Sequence, residues 1–306
     1  MNTIKTINTI AEATTTTTIA VHDGLFHLDE LVAISLLVLG TSEPSDEGVT
    51  SAWDDITIIR TRDFDQLFHA TFVVDVGMEF DGMRAFDHHQ KTCPKHSNGI
   101  LYAATGLVWE ATYKKIASDF NVDADKLYKA MEGFILAIDA NDTGSSEPDE
   151  RTVKLPTIAE MVATFKNKGN KAFSLCLQFI YEYVCQYIKN AVEEINDEQI
   201  IQEGIKQAKD GILVLPKFCL GWKDTCIDTP IKIALIDAGN GEWSITSASV
   251  KKGSQECKCA CPEALRANRV LGDNPVVFIH KTGFTGKVKA DSLEQAYKSA
   301  LEWVNG

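Results

Sequence analysis

The feature that most constrains this chain is a set of short apolar runs, rich in β-branched residues, near its start. They are TTTIAVH (16–22), DITIIR (55–60) and TFVVDV (71–76). DITIIR and TFVVDV are of the buried, continuous kind that is found in parallel sheets. Segments with apolar residues three and four positions apart, the spacing of a helix, lie between and after them. Strands that alternate with helices predict an α/β domain whose parallel sheet is flanked by helices.

The second half of the chain has a different pattern. Residues 172–208 contain no Gly or Pro until Gly204, which predicts a connector of one or two long helices. Short strands and a final helix that starts near Ser292 follow. We therefore predict four parts: a loose tail at 1–16, the α/β domain at 17–165, the helical connector at 166–210 and a smaller α+β domain at 211–306.

Composition and charge exclude several classes of protein. No apolar run approaches the roughly 20 residues that span a bilayer, and the Thr-rich start does not resemble a signal or transit peptide, so we expect a cytoplasmic protein. The net charge of −13 argues against a protein that coats duplex nucleic acid. The eight cysteines are scattered, which indicates reduced thiols. The group Cys257, Cys259 and Cys261 lacks the spacing of a structural zinc site, and its role stays open.

Imidazole and carboxylate side chains follow two of the predicted strands. The two windows are HDGLFHLDE (22–30) and VVDVGMEFDGMRAFDHHQ (73–90). Because the ligand crevice of an open parallel sheet lies outside the carboxyl ends of its strands, both windows would deliver their polar groups to one place. The candidate residues are His22, His27, Asp29, Asp75, Asp87, His88 and His89.

Such a cluster needs compensation, because carboxylates repel one another and buried charges need partners. Bound divalent cations provide it. A set of Asp and His without Cys favours Mn²⁺, Mg²⁺ or Zn²⁺, with Mn²⁺ preferred from the hardness and number of the ligands. Seven or more candidate ligands exceed the needs of one tetrahedral ion, so we predict two divalent ions.

These motifs resemble the DHH phosphoesterase superfamily, whose members hydrolyse phosphodiester or pyrophosphate bonds with two Mn²⁺ or related ions. The resemblance rests on Asp-His-His at 87–89, on the strand that bears Asp75 and on an upstream H-x4-H-x-D. Within the superfamily, five segments resemble the Myg family, whose members are regarded as 3′–5′ RNA exonucleases. They are HDGLFHLDE, RTRDFDQL (60–67), FVVDVGMEFD, RAFDHHQ and FIHKTGFTGK (278–287). The resemblance runs from about residue 18 to the C-terminus.

The resemblance implies a role for each candidate. Asp75 would bridge two ions, and His89 would face the substrate phosphate or support the ligands from behind. The fourth motif would supply Asp142, whose Asp-Thr-Gly context fits, or else Asp139. His27 stands where most of the superfamily has aspartate, which leaves the metal preference open. The implied metal ligands are His22, His27, Asp29, Asp75, Asp87, His88 and Asp142 (or Asp139).

Two further groups are candidates for binding substrate. Arg60 and Arg62 end a strand and could hold a phosphate, or could pair with Asp63 or Asp65 instead. The glycines of HKTGFTGK could let backbone N–H groups approach a phosphate, with a tight glycine turn as the alternative. This segment lies in a window, 251–290, with eight basic and three acidic side chains. The predicted substrate-binding residues are His89, Arg60, Arg62, Arg266, His280, Lys281, Gly283, Gly286 and Lys287.

The sequence and the resemblance together predict a metal-dependent phosphodiester hydrolase, a 3′–5′ exonuclease on RNA or short oligonucleotides. Water activated by two ions would attack phosphorus, and His89 or solvent would protonate the leaving oxygen, with Asp75 and Asp87 as the other catalytic residues. The C-terminal domain would close over the site. The alternatives are a DHH-type phosphatase or phosphodiesterase acting on a small nucleotide or pyrophosphate, and a non-catalytic RNA-binding or metal-bound scaffold. The oligomeric state stays open, with a homodimer as one option.

Overall fold

The fold is described from a computed structural model that divides into two compact units, Met1–Val192 and Glu193–Gly306. No helix among the described residues is both long enough and apolar enough to cross a membrane. The described residues are 4–41, 53, 55–145, 157–165, 167, 169–254 and 256–306.

Unit 1 contains a five-stranded sheet in the order β1-β3-β2-β4-β5, and every neighbouring pair is parallel. The buried strands β2 and β3, which are rich in β-branched residues, correspond to two of the runs in the sequence, so the predicted parallel α/β fold is confirmed. The strands are β1 (Lys5–Ile7), β2 (Thr17–Val21), β3 (Ile56–Arg60), β4 (Phe72–Val74) and β5 (Ala85–Phe86).

Helices cover this sheet. The first of them is buried on all sides from Leu31 to Val38, as expected of a helix whose residues are apolar all round, and it packs against the third. The fourth buries one apolar face that includes Leu127 and Met131. The helices are α1 (Leu28–Thr41), α2 (Phe64–His69), α3 (Ala104–Asp119), α4 (Ala124–Asp142), α5 (Ile158–Ala163) and α6 (Gly169–Gln207).

The strand order creates a crevice between two neighbouring strands. From β2 the chain runs through α1 to β3 on one side, and from β4 it runs to β5 on the other side. Where successive connections depart in opposite directions, the carboxyl ends of the two strands are left uncovered, and ligands of α/β sheets bind there. The residues that follow β2 and β4 therefore share one edge of the sheet.

The N-terminal residues differ from the loose tail that the sequence predicts at 1–16. β1 pairs in parallel with β3, so that Lys5, Thr6 and Ile7 lie opposite Thr57, Ile58 and Ile59. Ile4 and Ile7 are buried. The apolar side chains of this short strand extend the core at the edge of the sheet, and this burial holds the segment in place.

Unit 2 contains a six-stranded mixed sheet in the order β6-β7-β8-β11-β10-β9, in which only β6 and β7 are parallel. Trp303 and its neighbours on α8 pack on one face, and Trp222 packs in a second cluster with Ile201. The elements are β6 (Ile212–Leu215), α7 (Trp222–Thr225), β7 (Ile233–Asp237), β8 (Glu242–Ser247), β9 (Val270–Leu271), β10 (Asn274–Ile279), β11 (Thr285–Lys289) and α8 (Leu293–Asn305).

The structure gives the form of the helical connector and of the segment HKTGFTGK. The connector is one helix, α6, and the division between the units falls within it. The segment HKTGFTGK is only partly a glycine loop, because β11 begins at Thr285 and pairs with β8 and β10. Val288 is buried in the core of unit 2, which explains why this glycine-containing segment forms a strand.

Candidate metal centre

The first part of the site follows β2. His22 comes directly after the strand, and His27 precedes α1, which places both rings beside Glu30 in the first turn of that helix. His22 Nε2 lies 3.2 Å from Glu30 Oε1, and His27 Nδ1 lies 2.9 Å from Glu30 Oε2. The Glu30 side chain is fully buried. Because His22 and His27 outweigh the effect of burial, they hold the pKa of Glu30 below its usual value.

Asp75 follows β4 and stands at the centre of the cluster. Its φ of +54° lies in the left-handed region, which a non-glycine residue adopts at a cost and which turns the chain sharply at the strand end. Its Oδ2 lies 3.5 Å from His22 Nε2 and 3.6 Å from His27 Nε2. Its Oδ1 lies 3.3 Å from His88 Nε2. One buried carboxylate therefore contacts imidazoles from both sequence windows.

The end of α4 brings a further carboxylate to the cluster. Asp142 Oδ2 lies 3.1 Å from His88 Nε2, and Asp142 Oδ1 lies 3.3 Å from His27 Nδ1. Asp139, one turn earlier, is bonded to His96 Nε2 at 2.6 Å and accepts the Gly106 N–H at 3.0 Å. Of the two aspartates that the sequence leaves open, Asp142 is the one that contacts the imidazoles of the cluster, His27 and His88.

Asp29 has two roles to reconcile. Its carboxylate accepts the backbone N–H groups of Ala104 and Thr105 at 3.0 and 2.9 Å, which caps the start of α3. It also lies close enough to His88 and Asp142 for the three to share a cation. Burial and the repulsion of neighbouring carboxylates raise the pKa of Asp29 to about 7. A nearby cation would relieve that repulsion.

Asp87 and His89 form a bonded pair, and both also belong to a group with Asp75 and His88 that could hold a metal ion. Asp87 Oδ1 lies 2.7 Å from His89 Nδ1, and Asp87 Oδ2 accepts the Met78 N–H at 2.6 Å. The bond to Asp87 outweighs burial and raises the pKa of His89. Asp87 is buried whereas the His89 ring is half exposed, so the pair presents an imidazole to solvent.

Buried atoms that lie close to one another without forming hydrogen bonds make the cluster a candidate metal site. Unsatisfied buried polar atoms are few in native proteins, and each needs an explanation. Imidazole nitrogens and carboxylate oxygens within 4.8 Å of one another fit a shared divalent cation, and Asp75 belongs to two of the three groups with this geometry. The unpartnered atoms in the cluster are His22 Nε2, His27 Nδ1, Glu30 Oε1, both carboxylate oxygens of Asp75 and His88 Nε2.

The carboxylates control the protonation of the imidazoles when no cation is bound. Burial disfavours the charged form of His22, but Asp75 and Glu30 outweigh it and raise the pKa of His22 to about 10. At His88, Asp142 and Asp75 outweigh burial and raise the pKa to about 11. A cation that binds these nitrogens must therefore displace protons.

A cavity of about 440 Å³ opens onto the cluster and is lined by His22, His27, Asp75, Asp87 and His89. Arg62 lines the same cavity, and its Nε lies 3.2 Å from Asp23 Oδ1. Its side chain is mostly exposed, so it can reach a ligand in the cavity.

Arg60, by contrast, is buried, with 4% of its surface exposed. It donates to the Gly24 carbonyl at 2.7 Å, and its guanidinium lies 4.7 Å from the centre of the Phe173 ring. Arg60 therefore holds the loop between His22 and His27 in place.

Residues 18–302 match the model of the MYG1_exonuc family, which is described as "Uncharacterised protein family (UPF0160)". The match covers nearly the whole chain. The chain belongs to this family. It is 26% identical to MYG1 protein C694.04c of Schizosaccharomyces pombe, over 93% of this chain and 95% of that protein. It is 26% identical to MYG1 protein YER156C of Saccharomyces cerevisiae, over 92% of this chain and 94% of that protein. It is 24% identical to MYG1 exonuclease of Homo sapiens, over 88% of this chain and 81% of that protein.

In this MYG1 family member, most of the substrate-binding candidates in unit 2 are engaged within the fold. Arg266 donates to the backbone carbonyls of Cys261 and Lys281 at 2.8 and 3.0 Å. The Gly283 N–H donates to the His280 carbonyl at 2.7 Å. Gly286 and Lys287 lie within β11, and Lys287 Nζ lies 3.0 Å from Glu242 Oε2. Lys281 is exposed.

A separate cavity of about 690 Å³ in unit 2 contains His280. Lys223, three serines and Phe284 also line it, and none of the described residues that line it is a carboxylate. Lys223 Nζ lies 5.8 Å from the centre of the Phe284 ring, and the His280 ring lies 4.6 Å from it. This arrangement of a cation, hydroxyls and an aromatic ring suits an anionic ligand.

The sequence analysis missed one residue of the metal centre. Glu30 belongs to the quoted window HDGLFHLDE, but an acidic residue in the first turn of a helix is usually explained by the helix dipole, so its position gave no signal. Lys223 lines the unit 2 cavity although its neighbour Trp222 is buried as a core residue. Among the described residues, none of the groups that could hold a metal contains a cysteine.

Proposed function

We propose that this protein is a metal-dependent phosphodiester hydrolase of the DHH type that acts as a 3′–5′ exonuclease on RNA or short oligonucleotides. The observation that carries the proposal is the convergence on Asp75 of buried imidazole and carboxylate atoms without hydrogen-bond partners. The relatives named MYG1 exonuclease in Homo sapiens and Mus musculus support it. Few other chemistries need so many uncompensated oxygen and nitrogen ligands in one crevice.

We propose that two divalent ions bind here, Mn²⁺ in preference to Mg²⁺ or Zn²⁺. His22, His27, Glu30 and Asp75 form one candidate set, Asp29, His88 and Asp142 form a second, and Asp75, Asp87, His88 and His89 form a third that overlaps both. Asp75 would be shared between the first two sets, because one of its oxygens approaches His22 and the other approaches His88. When bound, such ions lower the pKa of a nearby water and neutralise charge on the phosphoryl oxygens.

We assign the proton transfer to His89 and its positioning to Asp87. The bond to Asp87 raises the pKa of His89, which favours the protonated imidazole, and the ring is half exposed in the cavity. A protonated imidazole at this place can donate its proton to the leaving oxygen of the substrate. Asp87 holds the ring through Nδ1, so the other ring nitrogen, Nε2, is the donor.

Arg62 is the proposed contact for a substrate phosphate in the same cavity. Its bond to Asp23 fixes one edge of the guanidinium, and within the described residues its terminal nitrogens make no hydrogen bond. Those nitrogens can form the paired hydrogen bonds that a phosphate accepts. In unit 2, we propose that Lys223 and His280 bind an anionic group in their own cavity.

The test is the hydrolysis of 5′-labelled RNA and DNA oligonucleotides with Mn²⁺, with Mg²⁺ or with EDTA. We expect stepwise shortening from the 3′ end that requires metal. His88→Ala should lose at least about a thousandfold in rate, because it removes a ligand that acts as part of a unit. His69→Ala is the matched control, because His69 is an exposed histidine on α2.

The remaining outcomes separate the alternatives. Immediate release of a labelled mononucleotide would reverse the polarity. Hydrolysis of pyrophosphate or small nucleotides without cleavage of any oligonucleotide would replace the exonuclease with a small-molecule phosphoesterase. Bound metal without any hydrolysis would support a scaffold.

A further inference from the structure

Large apolar side chains stand exposed at the cavity of the metal centre. Leu25, Phe64 and Met78 line this cavity, and more than half of the surface of each is exposed. Phe64 is the largest of the three, with 74% exposed. An exposed apolar patch beside a ligand pocket marks a surface that something covers during function. A cluster of ionic groups alone gives no reason for it.

The position of Phe64 is fixed by the backbone rather than by burial. It is the first residue of α2, and the N-cap Asp63 accepts the N–H of Asp65 at 2.9 Å. Leu67 of the same helix is buried and anchors α2 to the sheet. The phenyl ring is therefore presented on a rigid support although it is itself exposed.

The polar neighbours of Phe64 define what can lie against it. Arg62, two residues earlier, offers hydrogen-bond donors to an anion in the same cavity. Asp75 and His89 form another part of the wall. A ligand that contacts Phe64, Arg62 and the metal centre needs two parts. One is an anion between Arg62 and the metal centre, and the other is a flat apolar group beside that anion, against Phe64. A nucleotide has both parts, whereas an aliphatic chain or an isolated phosphate lacks one of them.

We propose that Phe64 is the stacking surface for one of the two nucleobases that flank the scissile phosphate. This inference rests on the proposed function, because it assumes that the cavity binds a phosphodiester. A base that stacks on Phe64 must leave the stack of its neighbours. Unpaired ends of single-stranded nucleic acid are therefore the substrates, and base-paired ends are cleaved slowly.

The experiment combines Phe64→Ala and Phe64→Tyr with three single-stranded oligoribonucleotides. One is intact, and the other two carry an abasic residue on either side of the terminal phosphodiester bond. The wild type should lose about tenfold or more in kcat/KM, mainly through KM, on one of the two abasic substrates. Phe64→Ala should show the same loss on the intact substrate and no further loss on that abasic one. Phe64→Tyr should keep the activity of the wild type.

Phe68→Ala is the matched control. Phe68 lies one turn later on α2, is 77% exposed and is outside the lining of this cavity, so its removal should leave kcat/KM unchanged. Additive losses from Phe64→Ala and from the missing base would overturn the inference, and so would unchanged activity of Phe64→Ala. A change of oligomeric state in both Ala variants would also overturn it, because the patch would then be a protein interface. If the wild type cleaves no oligonucleotide, the proposed function fails as well.

Discussion

The strand-end cluster of unit 1 and the turn between β10 and β11 in unit 2 differ in how their polar atoms are hydrogen-bonded. In the cluster, both carboxylate oxygens of Asp75 and the Nε2 of His22 are buried without a hydrogen-bond partner. In the turn, the Gly283 N–H donates to His280 and the Gly283 carbonyl accepts the Cys261 N–H at 2.8 Å. The turn is complete by itself, whereas the cluster carries a desolvation cost that a bound cation would offset.

This difference in hydrogen bonding distinguishes residues that would serve binding from residues that serve folding. A substitution in the cluster should change metal binding and hydrolysis more than the free energy of unfolding. A substitution of Gly283 in the turn should do the reverse. Native proteins accept destabilising arrangements mainly where function requires them. The effects of substitutions in the two regions on hydrolysis and on stability can therefore be compared in one chain.

The largest effect is expected from Asp75→Asn. The amide keeps the shape of the side chain but removes the negative charge that faces His22, His27 and His88. We expect the rate of RNA hydrolysis to fall by at least about a thousandfold, with loss of bound metal. The measurements are single-turnover rates and metal content by mass spectrometry. Full metal content with normal hydrolysis would remove Asp75 from the site.

The next effect distinguishes the two aspartates near the end of α4. Asp142→Asn should lower hydrolysis by about a hundredfold, because Asp142 contacts His88 and His27. Asp139→Asn should mainly lower the melting temperature, because it disturbs the buried pair with His96. Rates per folded molecule and thermal melts of both variants decide the matter. The reverse pattern would make Asp139 the ligand.

The sequence predicted the parallel sheet and the convergence at its edge because both follow from local patterns. An apolar run followed by Asp or His is visible in a single window, and the sheet rule then places the ends of two windows together. β1 could not be predicted in this way, because it has only three residues, Lys-Thr-Ile, and is not an apolar run. β11 was not predicted because glycine and lysine in TGKVK do not form a strand pattern. The strand depends on the burial of Val288 in tertiary packing.

Glu30→Gln should have an effect confined to metal binding. Glu30 lies against His22 and His27, so the amide should weaken cation affinity by about tenfold to a hundredfold. Calorimetric titration of chelator-treated protein with Mn²⁺ measures this change. Excess Mn²⁺ should restore hydrolysis, whereas it should not restore that of Asp75→Asn. Unchanged affinity would limit Glu30 to holding the imidazoles.

The pH dependence of metal binding follows from the raised pKa values of the imidazoles. Glu30 outweighs burial and raises the pKa of His27 to about 9, and His22 and His88 titrate higher still, at about 10 and 11. Below pH 9 a cation must therefore displace their protons. Apparent Mn²⁺ affinity should fall about tenfold for each proton displaced and each unit that the pH falls. Titrations in buffers of different ionisation enthalpy count the protons.

The same histidines make the stability of the chelator-treated protein fall as the pH rises, whereas the Mn²⁺ affinity rises with pH. A histidine whose folded pKa lies above its unfolded value of 6.5 stabilises the fold fully below that value, and the contribution is lost as the pH rises through the folded pKa. For His27 and His22 the loss runs from about pH 6.5 to pH 10. The melting temperature without metal should therefore fall over this range while the increment from Mn²⁺ grows. Parallel melts with EDTA and with Mn²⁺ test both signs, and a rising curve in EDTA would contradict them.

The smallest effect on catalysis is expected in the turn of unit 2. Gly283 has a φ of +74°, and a Cβ there would lie 2.7 Å from the Cys261 carbonyl oxygen and 2.9 Å from Arg266 Nε. Gly283→Ala should therefore cost about 1–3 kcal/mol of stability through backbone strain. Hydrolysis per folded molecule should change by less than about twofold, since the Gly283 N–H is already bonded within the turn. Thermal melts and kcat/KM on the same preparation test this prediction. A large loss of kcat/KM at an unchanged melting temperature would make the turn a phosphate-binding loop, and the contrast between the two regions would then fail.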